Sequence, residues 1–380
     1  MKLRSSILFV VIFSALSIVI PAGPFTAAAT ESPDMKTGQP ATKAEWDKLV
    51  ADAQKEGKVV IFAGPIGDAR EALTTAFRQK YGISLEILLG RGEEIVTKVT
   101  AERRAGIYSV DLMLHGMTTF FNSVKPKALT VPIAPLLVAP DVLDRSKWRG
   151  GRLPFADKEG HLAVLVYGSA PHLLVNTTLV KPGEFKTHQD FLDPKWRSKL
   201  VINDPSVGGA GAEWFTFVML QLMGQEKGMA FMKQLVKQEQ AITRNQRLLA
   251  EWVARGKYVG AIGTSKATAA DLMRSGAPVA YADMKDPRPT SSGTGNIMVV
   301  DKAPHPNATK LFTNWILSKD GAAIYSKAHG YASTRLDVST EGLDPMLIPT
   351  AEEVILGEEY QKSKGKMRKL AAQIFGDLKK

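Results

Sequence analysis

Three cations and a set of small or hydroxyl-bearing residues recur where apolar runs of the sequence stop. Arg91, Arg244 and Lys266 each follow such a run, and glycines or hydroxyl residues accompany them. Glycine lets a backbone approach a ligand closely, and a guanidinium or ammonium attracts an anion. This chemistry suits a carboxylate, a phosphonate or a phosphate. The predicted ligand-binding residues are Gly64, Pro65, Arg91, His115, Tyr167, Asp204, Ser206, Gly208, Gly209, Gly211, Arg244, Asn245, Thr264, Ser265, Lys266 and Tyr281.

The glycine-rich segment 207–211 is the sharpest single feature of this set. It directly precedes a predicted helix, where several backbone N–H groups can point at an anion. It is not a dinucleotide fingerprint, because Glu213 and Trp214 follow Gly211 and a third glycine is missing. A flexible turn is the alternative interpretation.

Each charged candidate also has an interpretation without a ligand. Arg91 and Arg244 are compatible with solvated loop arginines, because a lone arginine is usually exposed. His115 ends a predicted strand, and a structural role is the alternative there. Lys266 opens a predicted helix, where the helix dipole disfavours a cation unless an anion lies nearby. Lys266 therefore favours an anionic ligand.

Catalytic patterns are missing from the sequence. Residues 168–171 lack the spacing of a nucleophile elbow, and residues 263–266 have the wrong order for a P-loop. The six histidines do not pair at the helical spacing of a metal site. We therefore predict a binding protein that is not an enzyme and has no resident metal or cofactor. An extracytoplasmic hydrolase, which needs a nucleophile–base pair, is a remote alternative.

Alternating strands and helices must position these turns. The predicted strands are 58–63, 83–89, 110–114, 161–167, 173–176, 200–202, 241–243, 259–262, 278–282 and 296–300. The predicted helices are 45–57, 68–81, 93–105, 212–223, 226–238, 246–255, 308–317 and 320–329. Such alternation implies an α/β fold with mostly parallel sheets covered by helices on both faces. Ligands bind outside the carboxyl ends of strands in such sheets, which is where the candidate turns lie.

The length of 380 residues favours two lobes, because it exceeds what one hydrophobic core comfortably supports. A proline-rich stretch at 131–140 interrupts the alternation and precedes the change of lobe. The predicted divisions are a signal peptide 1–29, a flexible arm 30–42, a first lobe 43–160, a second lobe 161–285, a return to the first lobe 286–335, and a C-terminal helical extension 336–380.

The N-terminus has the pattern of an export signal. Lys2 and Arg4 precede an apolar run at 7–20, which Pro21 closes before small residues ending at Ala29. The run is shorter than the ~20 residues of a spanning helix. The chain has no cysteine, so a lipid anchor and disulfides are not expected. We predict cleavage after Ala29 and a soluble periplasmic protein.

The net charge of +11 is concentrated at the C-terminus, where residues 361–380 hold seven basic residues against Asp377. A nucleic-acid footprint would need base-reading or stacking residues along the same face. A solvated amphipathic helix is the simpler interpretation of this tail, and no nucleic-acid partner is expected.

The segment 192–200 reads Leu-Asp-Pro-Lys-Trp-Arg-Ser-Lys-Leu and precedes a strand and a glycine-containing loop. With it, residues 59–82, 173–176 and 306–321 resemble the type 2 periplasmic solute-binding proteins of ABC importers, over roughly residues 45–335. The likeness is to the branch with ferric-ion, thiamine, sugar-phosphate and aminoethylphosphonate receptors. The resemblance implies two lobes hinged around one ligand cleft, a monomer, and delivery to an ABC transporter permease whose ATPase supplies the energy.

Ferric members of that branch carry adjacent tyrosines just after the strand that matches 259–262. Thr264, Ser265 and Lys266 occupy that place here, and a lysine repels a trivalent cation. A ferric-ion receptor therefore stays an alternative that would have to use Tyr167 or Tyr281. The leading hypothesis is a receptor for a small anionic organic solute, held by Arg91, Arg244 and the backbone of residues 208–211, with the two tyrosines as the apolar wall.

Overall fold

The structure is a computed structural model that describes residues 35–350, 354–355 and 357–376. Its helices are α1 Lys43–Glu56, α2 Ala69–Tyr81, α3 Gly92–Arg104, α4 Met117–Thr119, α5 Pro140–Leu143, α6 Ala210–Phe217, α7 Gly224–Lys237, α8 Gln246–Ala254, α9 Lys266–Arg274, α10 Pro306–Leu317, α11 Lys319–His329 and α12 Glu358–Phe375. Its strands are β1 Lys58–Ala63, β2 Ser84–Leu89, β3 Leu112–Leu114, β4 Thr130–Val131, β5 Ala163–Val164, β6 Val166–Ser169, β7 Leu173–Asn176, β8 Leu200–Asn203, β9 Ala241–Thr243, β10 Gly260–Ile262, β11 Val279–Tyr281, β12 Pro289–Ser291, β13 Asn296–Val300, β14 Ala332–Ser333 and β15 Val354–Ile355.

The sheet of the first lobe has the order β2-β1-β3-β13-β4, and β5 also pairs with β13. β1 is parallel to both β2 and β3. β13 runs antiparallel to β3, β4 and β5. β13 is therefore the reversed strand of a sheet whose other strands run in one direction.

The sheet of the second lobe repeats this arrangement in the order β9-β8-β10-β7-β11. β8 is parallel to β9 and β10, and β7 runs antiparallel to β10 and β11. The reversed strand of each lobe, β13 or β7, is the one the chain enters shortly after crossing from the other lobe. The two lobes thus share one topology, although the sequence contains no repeat of fixed period.

A small third sheet connects the lobes. β6 and β12 pair antiparallel, with Ser169 opposite Thr290, and carry the chain in its two directions between the lobes. β14 pairs with β6, and β15 pairs with β12. The predicted α/β architecture of two lobes, each built on a mostly parallel sheet flanked by helices, is confirmed.

Each lobe has its own apolar core. In the first, Phe77 packs against Phe312 and Trp315 with ring centroids 5.1 and 5.0 Å apart. In the second, Trp196 stacks on Phe185 at 4.8 Å and is 5% exposed. Asp193 accepts a hydrogen bond from the Lys195 N–H, which starts the short turn that delivers Trp196 to this core. The segment 192–200 is therefore a packing element.

Helix ends follow local chemistry. Thr42 and Glu45 form a reciprocal capping box at the start of α1. Gly57 and Gly82 end α1 and α2 with φ of 76° and 72°, values that glycine adopts without steric cost. These ends set the lengths of the helices that flank β1 and β2.

Three predicted segments differ from the structure. The second lobe was predicted to begin at residue 161, but β5 pairs with β13 and so belongs to the first lobe. The arm 30–42 is not free where it is described: Gly38 N–H donates to Ala134 O at 3.1 Å and Ala41 N–H donates to Val138 O at 2.8 Å, so 35–42 lies along the first lobe. The extension 336–380 is helical mainly at α12, because 336–350 forms turns and a short 3-10 helix at 345–347. The predicted signal peptide lies outside the described residues. Among the helices that are described, none is both long and apolar enough to span a membrane.

Candidate ligand-binding cleft

Because the two lobes share one topology, two turns of the first lobe each have an equivalent turn in the second lobe. The turns after β1 and β8 lead into α2 and α6, and the turns after β3 and β10 lead into α4 and α9. These are carboxyl ends of parallel strands, where helix N-termini present unpaired N–H groups. Gly64, His115, Gly211 and Lys266, all predicted from the sequence, lie on these four turns.

His115 directly follows β3 in the first lobe. Its Nδ1 accepts a hydrogen bond from Gly116 N–H at 2.9 Å and lies 2.9 Å from Thr119 Oγ1. Burial lowers the pKa of His115, and the Gly90 carbonyl only partly opposes this effect. Because Nδ1 accepts from the Gly116 N–H, a ring proton lies on Nε2, which is buried.

Glycines make room for this imidazole. A Cβ on Gly64 would lie 3.1 Å from His115 Nε2 and 2.7 Å from Thr294 Cγ2. A Cβ on Gly92 would lie 3.0 Å from His115 Cε1 and 2.3 Å from Thr119 Oγ1. Gly64 and Gly92 are therefore required, because a side chain at either position would collide with the turn that carries His115 and with its neighbours.

Lys266 reaches from the second lobe to the first. Its Nζ donates to the carbonyl of Gly330, the residue that ends α11, at 2.8 Å, and lies 3.3 Å from the centroid of the Tyr331 ring. Burial lowers the pKa of Lys266 to about 7, while Asp344 partly opposes the shift. Among the described residues no carboxylate lies within ion-pair distance of this ammonium.

Aromatic rings surround Lys266. Burial raises the pKa of Tyr281, and Tyr331 and Asp344 raise it further. Burial lowers the pKa of His329 to about 4, and the charge of Lys266 adds to this effect. His329 Nδ1 is buried and, within the described chain, has no hydrogen-bond partner. Tyr331 covers Gly168 in the hinge, where an added Cβ would lie 1.8 Å from its Cε1.

A cavity of about 150 Å³ lies between the lobes and the hinge. Its wall residue Gly293 approaches His329 and Tyr331, whereas Lys266 is not part of the wall. The first lobe contributes residues 116–118, and the second lobe contributes Glu213. The hinge contributes Tyr167 and residues 290–293, which include two serines and a threonine. Burial raises the pKa of Tyr167 to about 12, so its phenol is neutral. Gln361 and Lys364 of α12 complete the wall.

Asp204, Ser206 and Arg244 form a separate cluster at the end of the second-lobe sheet. The Asp204 carboxylate, 1% exposed, accepts hydrogen bonds from the N–H and the hydroxyl of Ser206. It also accepts from Arg244 Nε at 3.1 Å, although the Arg244 side chain is 70% exposed. This carboxylate therefore organises the turn after β8, and Arg244 already has an anionic partner.

The glycine-rich segment 207–211 is shaped by packing as well. Gly211 N–H donates to Asn203 Oδ1 at 3.0 Å, and a Cβ there would lie 2.0 Å from Asn203 O. A Cβ on Gly263 would lie 2.7 Å from the Gly211 Cα, so these two turns touch backbone to backbone. Gly209 adopts φ 137° and ψ −169°, a conformation open essentially to glycine. Gly208 faces Arg368 of α12.

The remaining predicted residues have local roles in the structure. Asn245 caps α8 by accepting from Leu248 N–H, and Ser265 caps α9 by accepting from Thr268 N–H. Thr264 Oγ1 donates to Ala261 O at 3.4 Å. Pro65 O accepts from Thr294 Oγ1 at 3.1 Å. Arg91 is exposed at the start of α3 and lies outside the cluster around Lys266.

Several cleft residues were not predicted from the sequence. Thr118, Glu213, His329, Tyr331, Asp344 and Lys364 belong to this group. Glu213 and Thr118 lie one helical turn or less beyond the predicted turns, so their proximity to those turns along the chain could have indicated them. His329 and Tyr331 come from the end of α11, which reaches the cleft only through the hinge sheet. In the ranges described, no group of three or more His, Cys, Asp or Glu side chains could hold a metal ion.

Comparisons with known proteins agree with this architecture. Residues 72–350 match the sequence model of a family described as bacterial extracellular solute-binding protein. A Haemophilus influenzae protein of uncharacterised function is 26% identical over 284 residues, which cover 72% of this chain and 76% of that protein.

Two solved structures share the fold at lower identity. Iron-bound HitA from Pseudomonas aeruginosa is 17% identical, covers 83% of this chain and 99% of its own, and superposes with a TM-score of 0.64. The periplasmic binding protein AfuA from Actinobacillus pleuropneumoniae, with fructose-6-phosphate bound, is 19% identical, covers 85% of this chain and 98% of its own, and has a TM-score of 0.60. The resemblance found in the sequence is confirmed, and the chain belongs to the family of bacterial extracellular solute-binding proteins.

Proposed function

We propose that this protein captures a small anionic organic solute in the periplasm and delivers it to an ABC transporter. The ligand class is a carboxylate, a phosphonate or a phosphate ester. One observation carries the proposal: the Lys266 ammonium lies between the lobes, partly buried, and has a carbonyl and an aromatic face as partners, but no ion-paired carboxylate among the described residues.

A buried ammonium without a counter-charge is unfavourable, and its lowered pKa expresses that cost. Lys266 is also the first residue of α9, where the positive end of the helix dipole opposes a cation. An anion bound beside Nζ removes both penalties, because it pairs with the ammonium and interacts favourably with the same dipole. The site is therefore complementary to a negative charge.

The neighbouring cavity supplies neutral hydrogen-bond donors for the rest of such a ligand. Ser291 and Ser292 line it, and Gly116 and Met117 begin the helical turn of α4. A volume of about 150 Å³ suits a small solute and leaves little room for a nucleotide. Tyr167 and Tyr281 stay the predicted apolar wall, while Arg91, Arg244 and the backbone of 208–211 stay predicted contacts for a ligand that extends beyond Lys266.

Ferric iron is a poorer candidate. Iron bound by Tyr281 or Tyr331 would have to displace the phenol proton, and burial opposes this by raising the pKa of both groups in the empty protein. The Lys266 ammonium over the Tyr331 ring adds electrostatic repulsion against a trivalent cation. The iron-bound state of HitA is a property of that protein.

Calorimetric titration with the solute that co-purifies with the protein tests the proposal. Lys266→Met keeps the apolar length of the side chain and removes its charge, and we expect about ten- to hundredfold weaker binding. Lys257→Met is the matched control, since the Lys257 ammonium also lies over an aromatic ring, that of Trp252 at 4.3 Å, but both residues belong to the second lobe. Unchanged affinity of the Lys266 variant, or a visible phenolate-to-iron absorption band on adding iron, would overturn the anionic assignment.

A further inference from the structure

α12 contacts both lobes, and it lies beyond residue 350, where the family match ends. Its apolar face belongs to the second lobe: Met367, Ala371 and Phe375 are buried in that lobe's core. Phe375 meets Phe215 of α6 edge to face, with ring centroids 6.1 Å apart. α12 therefore moves with the second lobe when the lobes rotate.

The first half of α12 reaches across to the first lobe. Gln361 Oε1 accepts from Thr118 Oγ1 at 2.9 Å, and Gln361 O accepts from Asn122 Nδ2 at 3.3 Å. Glu358 pairs with Lys125 at 3.3 Å. Thr118, Asn122 and Lys125 all lie in the helical segment that starts at α4, directly after β3 of the first lobe.

Lys364 joins the two lobes through one side chain. Its Nζ donates to Glu213 Oε1 of α6 at 2.5 Å and to Thr118 Oγ1 of α4 at 3.0 Å. The side chain is 13% exposed and forms part of the wall of the interlobe cavity. Because its two partners belong to different lobes, this pair of contacts exists only when the cleft is closed.

We propose that α12 is a third connection between the lobes, in which Lys364 is a positioning residue that holds the cleft closed before a ligand arrives. The two hinge strands connect the lobes on one side of the cavity, and α12 adds polar contacts at its wall. A receptor that is already closed loses less free energy in ordering its lobes on binding, which raises its apparent affinity. Lys364 also neutralises Glu213, whose carboxylate would otherwise face the cavity alone.

The test measures the empty protein and so does not depend on the charge of the ligand. The chain has no cysteine, so spin labels can be attached to cysteines introduced at the exposed positions Arg104 in α3 and Lys227 in α7. Double electron–electron resonance then reports the distance between the lobes. Lys364→Met removes the contacts of Nζ with both lobes and leaves the apolar face of α12 intact.

In Lys364→Met we expect the ratio of open to closed molecules to rise about tenfold. This change would appear as a larger population at long distances between the two spin labels. Thr118→Val breaks the same contact from the first lobe and should open the cleft to a similar extent. Lys366→Met is the matched control on the same helix, because Lys366 is an exposed lysine of α12.

Identical distance distributions in the wild type, Lys364→Met and Thr118→Val would overturn the third connection. A urea unfolding curve for each variant shows whether that variant is folded. If Lys364→Met does not fold, Thr118→Val still tests the proposal, because it leaves the sequence of α12 unchanged. A failure here leaves the anionic assignment untouched, since that assignment depends on Lys266 and the co-purified solute.

Discussion

We predict that binding of an anion beside Lys266 depends on pH. Burial lowers its pKa to about 7 in the empty protein, whereas the group titrates near 10.5 in the unfolded chain. A bound anion restores the charged form, so binding takes up a proton wherever the empty protein has lost it. With these values the uptake is about 0.1 proton at pH 6 and about 0.9 at pH 8. Affinity should fall by about fiftyfold from pH 7 to pH 9.

The assay is calorimetric titration of one solute at several pH values, in pairs of buffers with different ionisation enthalpies. The difference in apparent enthalpy between the buffers gives the number of protons taken up. In Lys266→Met the uptake should vanish, and the affinity should stay nearly constant between pH 7 and pH 9. His329, the neighbouring titratable group, has a pKa near 4 and stays neutral throughout this range.

The empty protein gives a second readout with a defined sign. The folded-state pKa of Lys266 lies below the unfolded value, so the unfolded chain binds more protons between pH 7 and pH 10.5. This group alone therefore makes the empty protein more stable as pH rises through that window. Lys266→Met should lack this contribution. Equal pH profiles of affinity in the wild type and Lys266→Met would refute the role given to the lysine.

Four further predictions address other parts of the molecule. The exported protein should begin at Thr30. Intact mass measurement of periplasmic material tests this, and a mass that includes Met1 would contradict it. Saturating ligand should lower the radius of gyration in scattering, since the hinge strands β6 and β12 permit closure of the molecules that are still open, and identical profiles would count against it. Arg244→Ala is expected to weaken binding of the co-purified solute by at least about tenfold, because a charge-assisted hydrogen bond to the anion would be lost. Equal affinities would mean that the Arg244 guanidinium pairs with Asp204 and not with the ligand. Gly211→Ala should destabilise the fold by about 1–3 kcal/mol in urea unfolding, because its Cβ would overlap Asn203 O, while Gly365→Ala, with open space at its Cβ inside α12, should stabilise it by about 0.5–1 kcal/mol.

The strands of the two main sheets were largely predictable. The bounds 58–63, 173–176, 241–243 and 296–300 are those of the structure, because short apolar runs stopped by glycine or polar residues leave little choice of conformation. The hinge sheet was harder. β6, β12 and β14 are two to four residues long and contain glycine, serine or proline, so neither alternation nor an apolar run marks them.

The site was predictable as a set of turns but not as a set of contacts. His115, Lys266 and Tyr281 could be selected because each lies at the end of a strand or the start of a helix. The partners of Lys266 could not be selected from the sequence, since Gly330 and Tyr331 are more than sixty residues away along the chain. They contact Lys266 only because of the topology of the lobes. The role of α12 was missed for the same reason: its basic residues indicate a solvated helix, and only its packing reveals Lys364 between the lobes.

The identity of the bound solute tests the central claim most directly. Purified protein would be denatured, and the released small molecules would be identified by mass spectrometry, with metal content measured on the same sample. We predict one small anion, a carboxylate, phosphonate or phosphate ester, in near-stoichiometric amount and at lower occupancy in a parallel preparation of Lys266→Met. A neutral or cationic solute, or stoichiometric iron, would contradict the account.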